Sequence, residues 1–131
     1  MRVIRQRKDW DCGVAALAML LDIPYGDVAA YVREAFADDP CLRCRGLKTA
    51  QVQAVAKHFK LPLTLVHRRR RYLEGATGIL GFIGGVFAKG SGHWVVLRGG
   101  TTVIDPDDGD VCDLQSFIDA TGGRPTHLLR R

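Results

Sequence analysis

The chain has 131 residues, of which 47% are apolar and 25% charged, with a formal net charge of +5. That length can bury a core without disulfide staples, and the composition excludes a disordered or fibrous polymer. No apolar run reaches the roughly 18 residues that cross a bilayer, and residues Met1 to Lys8 lack the apolar stretch of a secretory signal, so a cytoplasmic protein without a membrane span is expected.

Residues Met1 to Asp11 read as an extended lead-in. Asp11 is expected to cap the helix that follows, its carboxylate accepting from first-turn amides. Cys12 to Leu21 is rich in Ala and Leu and apolar nearly all round, which places this helix in the middle of a domain, with Pro24 as its stop. A second helix starts at Gly26-Asp27, carries Val28, Tyr31, Val32 and Ala35 at helical spacing, and ends near Ala37 to Pro40. Asp38 to Gly46 is predicted to be a loop holding Cys41 and Cys44. A third helix runs from Ala50 to Phe59, with Thr49 at its start and Pro62 beyond its end.

Past Pro62 the apolar period shortens. Leu63 to Val66, Gly78 to Ile83, His93 to Leu97 and Thr101 to Ile104 are predicted strands, the last two forming a hairpin through Gly99-Gly100. A short helix containing Phe117 and Ile118 follows Asp113, and His127 to Leu129 forms a final strand. Helices first and strands second give an α+β fold, with helices packed on an antiparallel sheet. Neither an internal repeat nor a linker divides the chain, so residues 1–131 are expected to form one domain.

Four residues in this framework carry acyl-transfer chemistry. Cys12 supplies a thiol at a helix start, where unpaired amides and the positive end of the helix dipole favour the thiolate. His93 heads a strand after the glycine-containing Lys89-Gly90-Ser91-Gly92 and is the best base. Asp105, held extended by Pro106, returns through the hairpin to fix the imidazole tautomer. Gln6, six positions before Cys12, offers a side-chain amide that, with the Cys12 backbone N–H, suits an oxyanion. Each residue alone also has a plainer reading: a small buried thiol, a packed histidine, a turn aspartate.

Gln6 with Asp11-Cys12-Gly13-Val14-Ala15-Ala16-Leu17-Ala18-Met19, and His93-Trp94-Val95-Val96-Leu97 with Val103-Ile104-Asp105-Pro106, are similar to the blocks of the double-glycine leader peptidase (bacteriocin-processing) family of papain-like cysteine peptidases. Gly46-Leu47 and the Gly78–Ile83 strand also fall where that family would place them. The resemblance spans nearly the whole chain. It implies a papain-like fold with the nucleophile on a buried helix and the base on the sheet. It also implies cleavage after Gly-Gly in a leader peptide, with Cys12 as nucleophile, His93 as base and acid, Asp105 as orienter and Gln6 as oxyanion donor. This chain departs from the family's usual setting in being read as free-standing, without the export transporter that often carries such a domain.

The expected function is therefore peptide-bond hydrolysis through a thioester on Cys12, without a cofactor, on a peptide or protein substrate. The alternatives are a papain-like amidase or acyltransferase and a non-catalytic peptide-binding module. Trp10, Gly92 and Trp94 flank the site as substrate-binding candidates, though core filling explains the tryptophans equally well. Cys41-x-x-Cys44 reads as half a zinc site, a redox pair or an ordinary loop, because His58, His67 and Cys112 lack a matching pair spacing. Arg68-Arg69-Arg70-Arg71 would attract an acidic partner, nucleic acid included, while a solvated face is the commoner explanation. His58 and His127 are assigned to surface or packing. The oligomeric state is not legible in the sequence.

Overall fold

The computed structural model describes residues 1–67, 73–87 and 92–131. The arginine run Arg68–Arg71 and Lys89, Gly90 and Ser91 lie outside the described residues. Helix α1 (Cys12–Leu21) occupies the middle of the structure because it has no polar face to give to water. Residues Cys12 through Leu20 are all buried, against α2 (Tyr25–Ala35), α4 (Thr49–His58) and the sheet strands β2 (Gly78–Ile83) and β3 (His93–Arg98). It ends at Asp22, which turns left-handed at φ 55° while Ile23 N–H donates to the Ala18 carbonyl at 3.1 Å. The stop thus falls two residues before Pro24, which serves as N-cap of α2, its carbonyl accepting from Asp27 and Val28.

The start of α1 departs from the sequence expectation. The Asp11 carboxylate makes no bond to the first-turn amides. Its Oδ1 turns back to the N–H groups of Arg7, at 3.1 Å, and Lys8, at 2.9 Å, and its Oδ2 accepts from the Tyr25 hydroxyl. A fully buried carboxylate needs several donors. The lead-in and α2 supply three, so Asp11 ties the lead-in to the helical layer.

The predicted loop after α2 contains a single helical turn, α3 (Leu42–Arg45), which buries Leu42. Gly46 follows with φ 72° and ψ −165°, a conformation that only glycine adopts readily. A Cβ there would stand 2.5 Å from the Trp10 carbonyl oxygen. At the start of α4, Lys48 N–H donates to Gln51 Oε1 at 2.8 Å.

Among the described residues, six strands form one antiparallel sheet in the order β1-β6-β2-β3-β4-β5. Besides β2 and β3 these are β1 (Thr64–His67), β4 (Thr102–Ile104), β5 (Val111–Asp113) and β6 (Arg124–Arg130). The hairpin between β3 and β4 turns through Gly99 and Gly100, both left-handed, as expected. Two elements differ from expectation. The last strand begins three residues earlier than His127, and β5 is a three-residue strand too short to leave a sequence signature.

Helices α1, α2 and α4 cover one face of the sheet, where Ile79, Trp94, Val96, Ile104 and Leu129 meet them. Helix α5 (Leu114–Thr121), capped by the Asp113 carboxylate accepting from Ser116 N–H at 2.9 Å, covers the other face against Leu80, Phe82, Val95, Val103 and Leu128. This is the mixed α+β architecture anticipated from the order of elements. Among the described residues no helix is long and apolar enough to cross a membrane.

Candidate active site

The start of β3 meets the N-terminus of α1, and this contact assembles the site. Trp94 N–H donates to Cys12 Sγ at 3.4 Å, joining residues 82 positions apart. The Trp94 indole lies on the helical face of the sheet, where its Nε1–H donates to the Leu47 carbonyl at 2.8 Å. Close approach of α1 needs Gly13, since a Cβ there would stand 3.1 Å from the indole and 3.2 Å from the Leu47 side chain.

His93 precedes Trp94 and projects from the strand end. Its Nε2 lies 2.7 Å from Asp105 Oδ1, and the Cys12 sulfur is near enough to the same ring to act on its charge. Asp105 Oδ1 also accepts from Asp107 N–H at 3.0 Å, which holds the carboxylate in a tight turn after β4. The side chains of His93 and Asp105 are only 10% and 11% exposed. Phe87 lies flat against the imidazole, with ring centroids 4.8 Å apart and planes 10° apart. Carboxylate and aromatic ring therefore fix the imidazole beside Cys12.

The electrostatics follow from these contacts. Burial alone would pull the His93 pKa down, but the bonds to Asp105 and Cys12 and the charges of both outweigh it, raising the value from 6.5 to about 10. The imidazole thus holds its proton at neutral pH. A protonated ring between a thiol and a carboxylate stabilises negative charge on sulfur.

Cys12, His93 and Trp94 line a cleft of about 350 Å³. Residues 45–49 form part of its lining, as do the ends of β2 and β3 around Gly81 and Gly92, and Thr126 and His127 of β6. Gly92, at φ 106°, could carry no side chain without its Cβ coming within 2.9 Å of the Phe82 carbonyl oxygen. Trp10 is not in this lining. It borders a separate hollow of about 550 Å³ between the lead-in, α2 and α3.

Gln6 is also outside the cleft lining. Its backbone N–H donates to the Pro106 carbonyl at 2.7 Å, which ties the lead-in to the Asp105 turn. Its side-chain Nε2 donates to the Lys8 carbonyl at 2.9 Å, and its buried Oε1 has no hydrogen-bond partner.

Besides Lys48 and Thr49 of the cleft lining, sequence reasoning missed Phe87, Thr126 and His127. Phe87 stacks on His93 from a 3₁₀ turn (Gly85–Phe87) that has no local signature. His127, assigned to surface or packing, lines the cleft and shares a 2.9 Å hydrogen bond with Thr49 Oγ1. Thr126 joins it there. The strand pairing reveals Thr126 and His127, and the turn after β2 reveals Phe87. Cys41, Cys44 and Cys112 are free thiols, and no cluster of three or more metal-ligating side chains occurs among the described residues. His58 stacks on Tyr31 with ring centroids 3.7 Å apart.

No protein-family model matches this chain, and a search of curated proteins also finds no match. Among solved structures the chain is similar to a double glycine motif protease from an AMS/PCAT transporter, crystallised in complex with the leader peptide. Identity is 24% and the TM-score 0.61, over 98% of this chain and 91% of the other. That likeness shows the fold, a papain-like arrangement of helices on an antiparallel sheet.

Proposed function

We propose that this protein is a cysteine peptidase that hydrolyses a peptide bond through a thioester on Cys12. The observation that carries the reading is the position of one imidazole, His93, bonded to the Asp105 carboxylate and standing beside the Cys12 sulfur, which accepts from the adjacent Trp94 N–H. This is the arrangement that thiolate acyl transfer needs: nucleophile, base and orienter in contact.

In the proposed mechanism, the Cys12 sulfur attacks the scissile carbonyl carbon while the His93 imidazolium keeps its proton. The carbonyl oxygen becomes an oxyanion beside the first turn of α1, where the Cys12 backbone N–H is a donor. Gln6, outside the cleft lining with Nε2 on the Lys8 carbonyl, would have to turn toward the sulfur to serve as the second donor. As the C–N bond breaks, His93 passes its proton to the leaving amine, and the acyl group stays on sulfur. Water then attacks the thioester, His93 taking its proton, and the carboxylic acid leaves with the thiolate restored. Asp105 keeps Nε2 bonded throughout and turns the other ring nitrogen to sulfur.

Gly92 and Gly81 leave part of the cleft wall without side chains, which lets a peptide backbone approach closely and is in keeping with a Gly-Gly site. The structural neighbour's complex with its leader peptide is in keeping with a peptide substrate. The test is a peptide library incubated with wild type and with Cys12→Ala and read by mass spectrometry. New carboxyl and amino ends in the wild-type reaction alone are expected, enriched for cleavage after Gly-Gly. Products carrying an added amine would make the protein an acyltransferase, and intact peptides with wild type would leave peptide binding as the role of the cleft.

A further inference from the structure

Strand β6 changes its side-chain alternation next to the cleft. Leu80 of β2 pairs with Leu128 and Phe82 with Pro125, so Gly81 alone faces two residues, Thr126 and His127. Such a bulge turns consecutive side chains to one side of a sheet, and bulges recur beside functional sites. Here Leu128 points to the α5 face, while Thr126 and His127 both line the cleft with Cys12. Gly81 makes room for them: a Cβ there would meet Thr126 Oγ1 at 2.6 Å and the Trp94 ring at 3.2 Å.

The His127 ring stands edge-on to the Trp94 indole, with centroids 5.5 Å apart, and its Nε2 is bonded to Thr49 Oγ1. Burial lowers its pKa below 6.5, so the ring is neutral at pH 7. In the tautomer that carries its hydrogen on Nδ1, Nε2 accepts from the Thr49 hydroxyl and Nδ1 is left as a donor. The described cleft lining holds the cations Arg45 and Lys48 and, in the proposed ion pair, the His93 imidazolium with the Cys12 thiolate, and no carboxylate is among its residues. Asp39, whose carboxyl feels the Lys48 charge, also accepts from Cys41 N–H and the Gln51 side chain.

We propose that Thr126, His127 and Thr49 form a side-chain subsite of the cleft, and that it takes an acidic residue of the peptide next to the scissile bond. Lys48 supplies the opposite charge and His127 a hydrogen bond to the carboxylate. This rests on the hydrolase reading for its substrate, a peptide, but not for its recognition chemistry. An acidic side chain entering here meets donors and a cation. A lysine meets like charge, and a neutral glutamine keeps the shape but loses the charge assistance.

The experiment uses fluorescein-labelled peptides with a central Gly-Gly, carrying Glu, Gln or Lys at each position flanking the pair. Binding is measured with Cys12→Ala, and cleavage separately with the wild type. At one position the Glu peptide is expected to bind about tenfold tighter than the Gln peptide, the size of one charge-assisted bond. The ratio should fall to near one when Cys12→Ala is combined with His127→Ala or with Lys48→Glu. The latter is an exposed change that leaves the fold intact. Equal affinity for Glu and Gln at every position, a preference that survives Lys48→Glu, or no binding of any peptide overturns the subsite. Cleavage without an acid preference removes the subsite and keeps the hydrolase. Acid-selective binding without cleavage does the reverse.

Discussion

Asp11, immediately before the proposed nucleophile, is fully buried and is satisfied by two backbone N–H groups and the Tyr25 hydroxyl. Burial and the bond to Asp11 push the Tyr25 pKa up, so the phenol stays a donor across the accessible pH range. Asp11→Ala should cost about 2–4 kcal/mol in chemical denaturation, because three donors lose their acceptor. Tyr25→Phe, which strands one acceptor, should cost about 1–2 kcal/mol. Losses under 0.5 kcal/mol in both would show that water replaces these bonds freely. The His93 value sets the pH behaviour. A pKa raised from 6.5 to about 10 means the imidazolium stabilises the fold fully below pH 6.5, and this contribution is lost as pH rises toward 10. The basic limb of kcat/KM should therefore lie near 10. Asp105→Asn should move it down toward 6.5, since the amide no longer holds the proton on the ring. A limb that stays in place would separate Asp105 from the imidazole's charge.

Among the elements, the cleft wall of residues 45–49 depends on one backbone conformation. Gly46 sits where a side chain is strained by its φ of 72° and by the Trp10 carbonyl. Gly46→Ala should cost about 1–3 kcal/mol. It should also shift Leu47, whose carbonyl anchors the Trp94 indole, so turnover should fall beyond what instability explains. A fully active, stable Gly46→Ala variant would contradict this placement. The same elements show what a sequence can and cannot disclose. Helix α1 and the β3–β4 hairpin were readable because an all-apolar Ala/Leu run and a Gly-Gly pair between β-rich segments each have a local cause. The α3 turn, β5 and the bulge at Thr126–His127 were not, because each exists only through contacts with distant chain. The Asp11 cap gave way to a rival local arrangement, its carboxylate turning back to the Arg7 and Lys8 amides, with the Tyr25 hydroxyl brought near by the fold.

For the molecule as a whole, the site lies where the two layers meet. The helical layer carries Cys12 and the sheet carries His93 and Asp105, so catalysis as proposed depends on how α1 seats against β3. Leu17, wholly buried in the helical core, is the natural probe. Leu17→Ala should cost about 2–5 kcal/mol by leaving a void, with activity at low temperature largely kept if Cys12 stays seated. The sequence placed Cys12, His93 and Asp105 in their elements, but their contact depends on sheet order and register, which a single chain does not spell out. His127 and Phe87 depend on the same register and had no signature at all.

Alkylation by iodoacetamide at pH 7, followed cysteine by cysteine by mass spectrometry, tests the paired thiol and imidazole most directly. Cys12 is 7% exposed, whereas Cys44 is open to solvent. Access alone would make Cys44 the faster. Activation by His93 instead makes buried Cys12 the first to react, and His93→Ala should abolish its lead. If Cys44 reacts first in the wild type, or if the Cys12 rate is unchanged in His93→Ala, the imidazole does not activate the sulfur and the proposed chemistry fails.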